Sequence, residues 1–136
     1  MVWSTQEART MATHQTASER ITAEVTTWPG VEAGPGRRGE FGFRVGFREI
    51  GHLHGDRAAH FSFPKRVWAE LFEQGRIVHH PVFPGKAGPA ARRIEDDADV
   101  RDVIRLLRLN SDAAIARRNA GGAAEREPAA PARSGS

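Results

Sequence analysis

Phe41–Ser62 reads FGFRVGFREIGHLHGDRAAHFS, and no other segment of the chain says as much about its architecture. Phe41, Phe43 and Val45 alternate with Gly42 and Arg44, the period-two pattern of a half-buried strand. Gly46-Phe47 puts glycine first in a two-residue loop, a hairpin signal of the II′ type. The loop pairs Val45 with Arg48, Arg44 with Glu49, Phe43 with Ile50, Gly42 with Gly51 and Phe41 with His52. A second loop of the same kind, Gly55-Asp56, pairs His54 with Arg57, Leu53 with Ala58, His52 with Ala59, Gly51 with His60 and Ile50 with Phe61. Opposed residues share a face, so this register predicts a core face of Phe41, Phe43, Val45, Ile50, Ala59 and Phe61. His52 and His54 lie on that same face towards one end. Gly42, Arg44, Glu49, Gly51, Leu53, Ala58, His60 and Ser62 take the other. A slip of one residue inverts every assignment.

Helices flank this three-stranded meander. Thr16 and Glu19 have capping-box spacing, and Ile21, Val25 and Trp28 follow as one helical stripe before Pro29-Gly30. Gly34-Pro35-Gly36 reads as a turn. Pro64 suits the first position of a second helix with Val67, Trp68, Leu71 and Phe72 as its apolar stripe, and Gly75 suits its end. Arg76–Phe83 and Ala91–Ile94 read as further short strands. A last helix from Asp97 to at least Leu109 carries acids at its start, where the dipole favours them, and Val100, Val103, Ile104 and Leu107 as its core stripe. The expected order is α-β-β-β-α-β-β-α, an antiparallel sheet with three helices of the α+β class.

Composition sets the limits. The chain has 136 residues, 39% of them hydrophobic, which fits one domain with a modest core. Residues 1–15 are polar and aperiodic, 16–118 form the foldable domain, and 119–136, NAGGAAEREPAAPARSGS, reads as a disordered tail. There is no cysteine, so disulfides, thiolate metal sites and a Cys nucleophile are excluded. No apolar run is long enough to span a membrane, no apolar h-region precedes Glu19, and a cytoplasmic location is the expectation. The pI near 10.5 reflects a chain with almost nothing that titrates between His and Arg. A net charge of +3 without clustering does not argue for nucleic-acid binding. No phosphate loop, dinucleotide fingerprint or Ser nucleophile elbow is present.

Five of the six histidines fall between positions 52 and 80. His52 and His54, two apart on a strand, point the same way. Three chemistries follow. Either residue can act as a general base beside an apolar pocket walled by Phe41, Phe43 and Phe61 and completed by His79 or His80. The pair can ligate a metal ion with His79 or His80 as third ligand, and Asp56 has the same parity but sits in the turn. Or each can simply be buried and donate an N–H to a carbonyl. The expectation is a small-molecule site without a cofactor. Glu49 is a further catalytic candidate, although its place opposite Arg44 also reads as a surface ion pair. A non-catalytic interaction module is the alternative, acting through the facing pair Gly42/Gly51 or the stripe Arg101, Arg105, Arg108. Asp97 and Arg101 have favourable ion-pair spacing.

The run Phe43–Asp56, FRVGFREIGHLHGD, with Phe63-Pro64-Lys65, His79-His80 and Pro84, and Leu107-Arg108-Leu109, resembles the bacterial luciferase-domain family. The resemblance covers about Trp28 to Arg118. A Ser-Gly-Trp expected after Pro84 is absent, and Gly85-Lys86-Ala87-Gly88-Pro89 stands there. The family is named for its likeness to a domain of fungal luciferases, which oxygenate a hydroxypyrone with O₂ and no metal. The resemblance therefore implies a small-molecule pocket; likeness of fold does not carry the reaction.

Overall fold

Thr16 opens the first helix as the sequence predicts. Its hydroxyl accepts the Glu19 N–H at 3.1 Å, and Glu19 Oε1 accepts the Thr16 N–H at 3.0 Å. The structure is a computed structural model that describes residues 15–36 and 40–126, with side chains described up to Gly121. The expected flexible segment before Gln15 and the tail beyond 126 lie outside the described residues. The elements are α1 (Ala17–Val25), β1 (Val31–Pro35), β2 (Phe41–Val45), β3 (Arg48–His54), β4 (Ala58–Ser62), α2 (Lys65–Glu73), β5 (Val78–His79), β6 (Pro89–Arg93) and α3 (Asp97–Arg126). All strands join one antiparallel sheet in the order β1-β2-β3-β4-β6-β5.

The α+β class, the meander and the alternation of helix and strand blocks are as expected. β1 is an addition to the first strand block. Gly34 and Pro35 do not turn the chain but pair with Gly42 and Phe41, at a sheet edge where proline is tolerated. Pro64 is the N-cap of α2 rather than its first residue. The Arg76–Phe83 strand shrinks to two residues, and α3 continues past Asn119, where the tail was expected to begin. Its Ala-rich end extends a helix already anchored by packing, and extension costs less than nucleation.

The core lies between the sheet and the pair α1/α3. Ile21 and Val25 of α1 and Val100, Val103, Leu106 and Leu107 of α3 pack on Phe43, Val45, Ile50, Leu53, Ala59 and Phe61. Ile50 and Leu53 are 1% and 2% exposed although they are three residues apart. A regular strand cannot bury both on one face, because its side chains alternate. Burying each is worth about 1.5–3 kcal/mol, enough to displace a regular ladder. The strand inserts a bulge: Arg44 still faces Glu49, but Phe43 faces Gly51, Gly42 faces His52 and Phe41 faces Leu53. In the next hairpin the loop takes three residues, Gly55-Asp56-Arg57, and not the expected two, so His52 faces His60 and Leu53 faces Ala59, one residue away from the expected pairing. Beyond the bulge the faces invert, as a one-residue slip must do. Leu53 enters the core, and His52 and His54 leave it.

Two residues secure the bulge from α3. Leu107 packs so close to Gly51 that a Cβ there would lie 2.6 Å from Leu107 Cδ2 and 3.1 Å from Phe61 Cδ1. Asn110 Nδ2 donates to Ile50 O and Ser62 O, each at 3.1 Å, and so satisfies the carbonyl of the extra residue. At the far side Asp102 of α3, 8% exposed, receives Arg76 at 2.7 Å and Arg92 at 3.4 Å, which ties the α2–β5 loop and β6 to the same helix. Trp68 Nε1–H donates to Pro89 O at 3.0 Å and docks α2.

Gly51→Ala therefore overpacks the core and costs about 1–3 kcal/mol in denaturant unfolding. Gly121→Ala, in a helix with nothing within 4 Å of the new Cβ, leaves stability unchanged or raises it by up to about 1 kcal/mol. Equal effects of the two would show that Gly51 does not hold the close approach.

Candidate functional site

The inverted register gathers four imidazoles on the sheet face away from α1 and α3. His52 and His54 project from β3 and His60 from β4. Ring centroids are 5.0 Å apart for His52–His54, 5.3 Å for His52–His60 and 4.0 Å for His54–His60. His80, from the loop after β5, covers His60 at 4.2 Å. His54 is exposed, His52 is half-buried, and His60 beneath them is 8% exposed. One ring nitrogen from each of His52, His54 and His60 lies within 4.8 Å of the others.

Hydrogen bonds set two of the tautomers. Glu49 Oε2 lies 2.7 Å from His52 Nδ1. A carboxylate only accepts, so Nδ1–H is the donor and Nε2 keeps its lone pair for a proton or a metal ion. Gly42 lies opposite His52, and a Cβ there would make ordinary contacts of 3.5 Å to His52 Cβ and 3.6 Å to Glu49 Oε1. Donor atoms of Glu40, Glu49 and His52 also lie within 4.8 Å of one another. His80 differs. Its Nδ1 accepts the Val82 N–H at 3.1 Å, so the neutral ring carries its proton on Nε2. Burial, then the neighbouring His54, His80 and His52, push the His60 pKa down to about 4. Burial, His52 and His54 also lower that of His80. His60 is therefore a neutral imidazole at pH 7.

A cleft of about 710 Å³ adjoins the cluster, lined by Arg57, Ala58, His60, Val78, Ala91 and Arg93 among others. His60 faces Ala91 across the β4–β6 ladder, Ala58 faces Arg93, and Val78 faces Ala91 from β5. Two alanines at adjoining positions leave the trough, and His60 stands at its inner end.

The sequence-predicted residues divide between the two faces. His52 and His54 do not share a face with Phe43 and Phe61, which are 0% and 4% exposed in the core. Phe41 is 36% exposed and meets Phe43 edge-on at 5.7 Å. The expected pocket walled by these three rings is thus not assembled, because the bulge sets rings and imidazoles on opposite sides. Of the adjacent pair, His80 joins the cluster. His79 turns to Trp68 and Phe72, at 5.1 and 5.0 Å between ring centroids, and also lines the cleft. The expected third ligand gives way to His60, which the unbulged register placed apart from His52 and His54. The signal for it was the His-Leu-His triplet, whose central leucine belongs in a core. Asp56 is taken up elsewhere, accepting the Ser18 N–H at 2.8 Å.

The two surfaces named for the interaction-module alternative are arranged otherwise than expected. Gly42 and Gly51 do not face each other, and Gly51 is filled by the chain's own Leu107. In the arginine stripe, Arg105 meets Asp102 at 3.6 Å, Arg108 meets Asp112 at 3.1 Å and lies over Trp28 at 5.0 Å, and Asp97 pairs with Arg20 at 2.6 Å instead of Arg101.

An antiparallel sheet with its helices on one face and a histidine-lined cleft on the other defines a small α+β domain with one candidate ligand face. The family model described as Luciferase domain matches residues 47–110, from the hairpin turn before β3 to Asn110, so this part of the chain is similar to that family. No curated protein and no solved structure matches the chain. No helix among the described residues is long and apolar enough to cross a membrane.

The low pKa of His60 has a consequence for stability. The unfolded chain takes up the proton near 6.5 and the folded one only near 4. The stability at stake is fully present above pH 6.5 and is lost as the pH falls towards 4. Denaturant titrations of metal-free protein between pH 7 and pH 4.5 should show this loss, and His60→Asn should flatten it by up to about 1.4 kcal/mol per pH unit. The groups facing His60 are His52, His54 and His80, with Glu49 behind His52. An unchanged slope in His60→Asn would contradict the assignment.

Proposed function

We propose that the chain binds a small apolar or aromatic carboxylate in the cleft over β4, β6 and β5, and that the histidines at its inner end act on the bound molecule. One arrangement carries this reading: a cleft whose lining combines apolar side chains, a neutral imidazole and a guanidinium. Ala58, Ala91 and Val78 are the apolar part of the lining. Arg57, exposed, has no carboxylate partner among the described residues, whereas Arg93 is held by Glu95 at 3.3 Å. Arginine recognises a carboxylate in bidentate fashion, and an apolar cleft with few polar groups is the usual form of a ligand site. The similarity of residues 47–110 to the Luciferase domain family supports a small organic molecule as the ligand.

Two chemistries fit the inner end. In a cofactor-free oxygenase-type reaction, His52 Nε2, backed by Glu49, takes a proton from the substrate and leaves an electron-rich anion for O₂. In the other, the same nitrogen holds a metal ion.

The test uses 2-naphthoate and its uncharged amide as probes, titrated into the protein by calorimetry or NMR. The acid should bind at least about tenfold more tightly, the 1.4 kcal/mol of one charge-assisted contact. Arg57→Gln should abolish that preference, while Arg101→Gln on the far face of α3 should not. Equal binding of acid and amide, or a preference that survives Arg57→Gln, contradicts the reading.

A further inference from the structure

The geometry points to a three-histidine centre: His52, His54 and His60 hold one divalent first-row transition-metal ion, and Glu49 positions His52. The inference deepens the proposed function at the inner end of the cleft, and chooses between its two chemistries.

Three imidazoles converge from two paired strands, with donor nitrogens within 4.8 Å of one another. In a tetrahedral site with metal–nitrogen bonds near 2.0–2.1 Å, the ligand nitrogens sit about 3.3 Å apart. Small side-chain rotations of His52 and His54, at the surface, close that difference, while His60 is held below by its neighbours. The i, i+2 spacing on β3 and the direct opposition of His52 and His60 fix three corners of the polyhedron on rigid backbone. Sites on strands keep such geometry better than sites on loops.

The surroundings complete the pattern. A metal-ligating histidine commonly donates its second N–H to a carboxylate, which orients the ring and raises its basicity. The bond from His52 Nδ1–H to Glu49 Oε2, at 2.7 Å, is that arrangement. His80 stands apart from the ligand set. Its Nδ1 is engaged by the Val82 amide, so Nε2 bears hydrogen and can only donate towards the centre. Three protein ligands therefore leave a fourth position for water or a bound molecule, the composition of catalytic rather than structural sites. Nitrogen donors select zinc, cobalt, iron, nickel or copper over magnesium and calcium.

The test uses untagged, chelator-stripped full-length chain, titrated with Zn²⁺ by calorimetry and with Co²⁺ by visible absorption. One ion per chain should bind, and Co²⁺ should give the intense d–d bands of a four-coordinate site. His52→Ala/His54→Ala should weaken binding at least about a hundredfold. Glu49→Gln should weaken it about 10–100-fold, and His80→Ala should change it by less than about threefold. Circular dichroism checks each fold, and His52→Gln/His54→Gln serves if the alanine pair unfolds. Unchanged affinity in a folded double variant, or no saturation up to about 100 μM metal, overturns the proposal. Naphthoate titration of the metal-free chain reads the cleft separately. Naphthoate bound at an empty centre leaves the cleft standing without the metal. Metal bound without naphthoate leaves the centre standing without the carboxylate reading.

Discussion

Side chains on a strand alternate, yet Ile50 and Leu53 are both buried under α3. That parity conflict is resolved by one extra residue in β3, and most of the molecule is arranged around it. Gly51 supplies a position without a side chain where Leu107 presses on the sheet. Asn110 reaches from the same helix to the carbonyl that the bulge frees from the ladder, and to Ser62 O beside it. The part of α3 from Val100 to Asn110 is thus a fitted counterpart of the bulge. The family match, which starts at the turn into β3 and ends at Asn110, spans the two partners.

The bulge also creates the histidine face. In an unbroken ladder His52 and His54 would point into the core, where burial of polar groups without partners costs several kcal/mol. Shifted by one, they emerge beside His60 on the side that α1 and α3 leave uncovered. Burial and the neighbouring rings then lower the proton affinity of His60, and Glu49 orients His52. Ala58 and Ala91, small at adjoining positions, keep the neighbouring surface open. Packing demands on one face of the sheet therefore determine the chemistry of the other.

Much of this was legible in the sequence. The capping box at Thr16, the period-two run from Phe41, the Gly75 helix stop and the acidic start of α3 each have a local physical cause, and each lies where expected. The class, the meander and the cluster's two β3 members followed from them. Two things failed: locally, the second loop takes three residues, Gly55-Asp56-Arg57, where the glycine-first signal gave two, and nonlocally, β3 carries an extra residue. Counting outward from a two-residue turn gives the right partner as far as Glu49, because nothing between Val45 and Glu49 signals an insertion. The insertion is set by Leu107 and Asn110, more than fifty residues away. Leu53 between two histidines was the available warning: a leucine placed outside with its polar neighbours inside inverts ordinary burial. β1 was hidden because Gly34-Pro35 looks like a turn, and an edge strand needs only one partner.

The bulge can be observed in solution. Cross-strand nuclear Overhauser contacts between backbone protons of β2 and β3 report it directly. The bulged ladder predicts contacts that pair Gly42 with His52 and Phe41 with Leu53. Contacts that pair Gly42 with Gly51 and Phe41 with His52 would return His52 and His54 to the core face and dissolve the four-imidazole cluster.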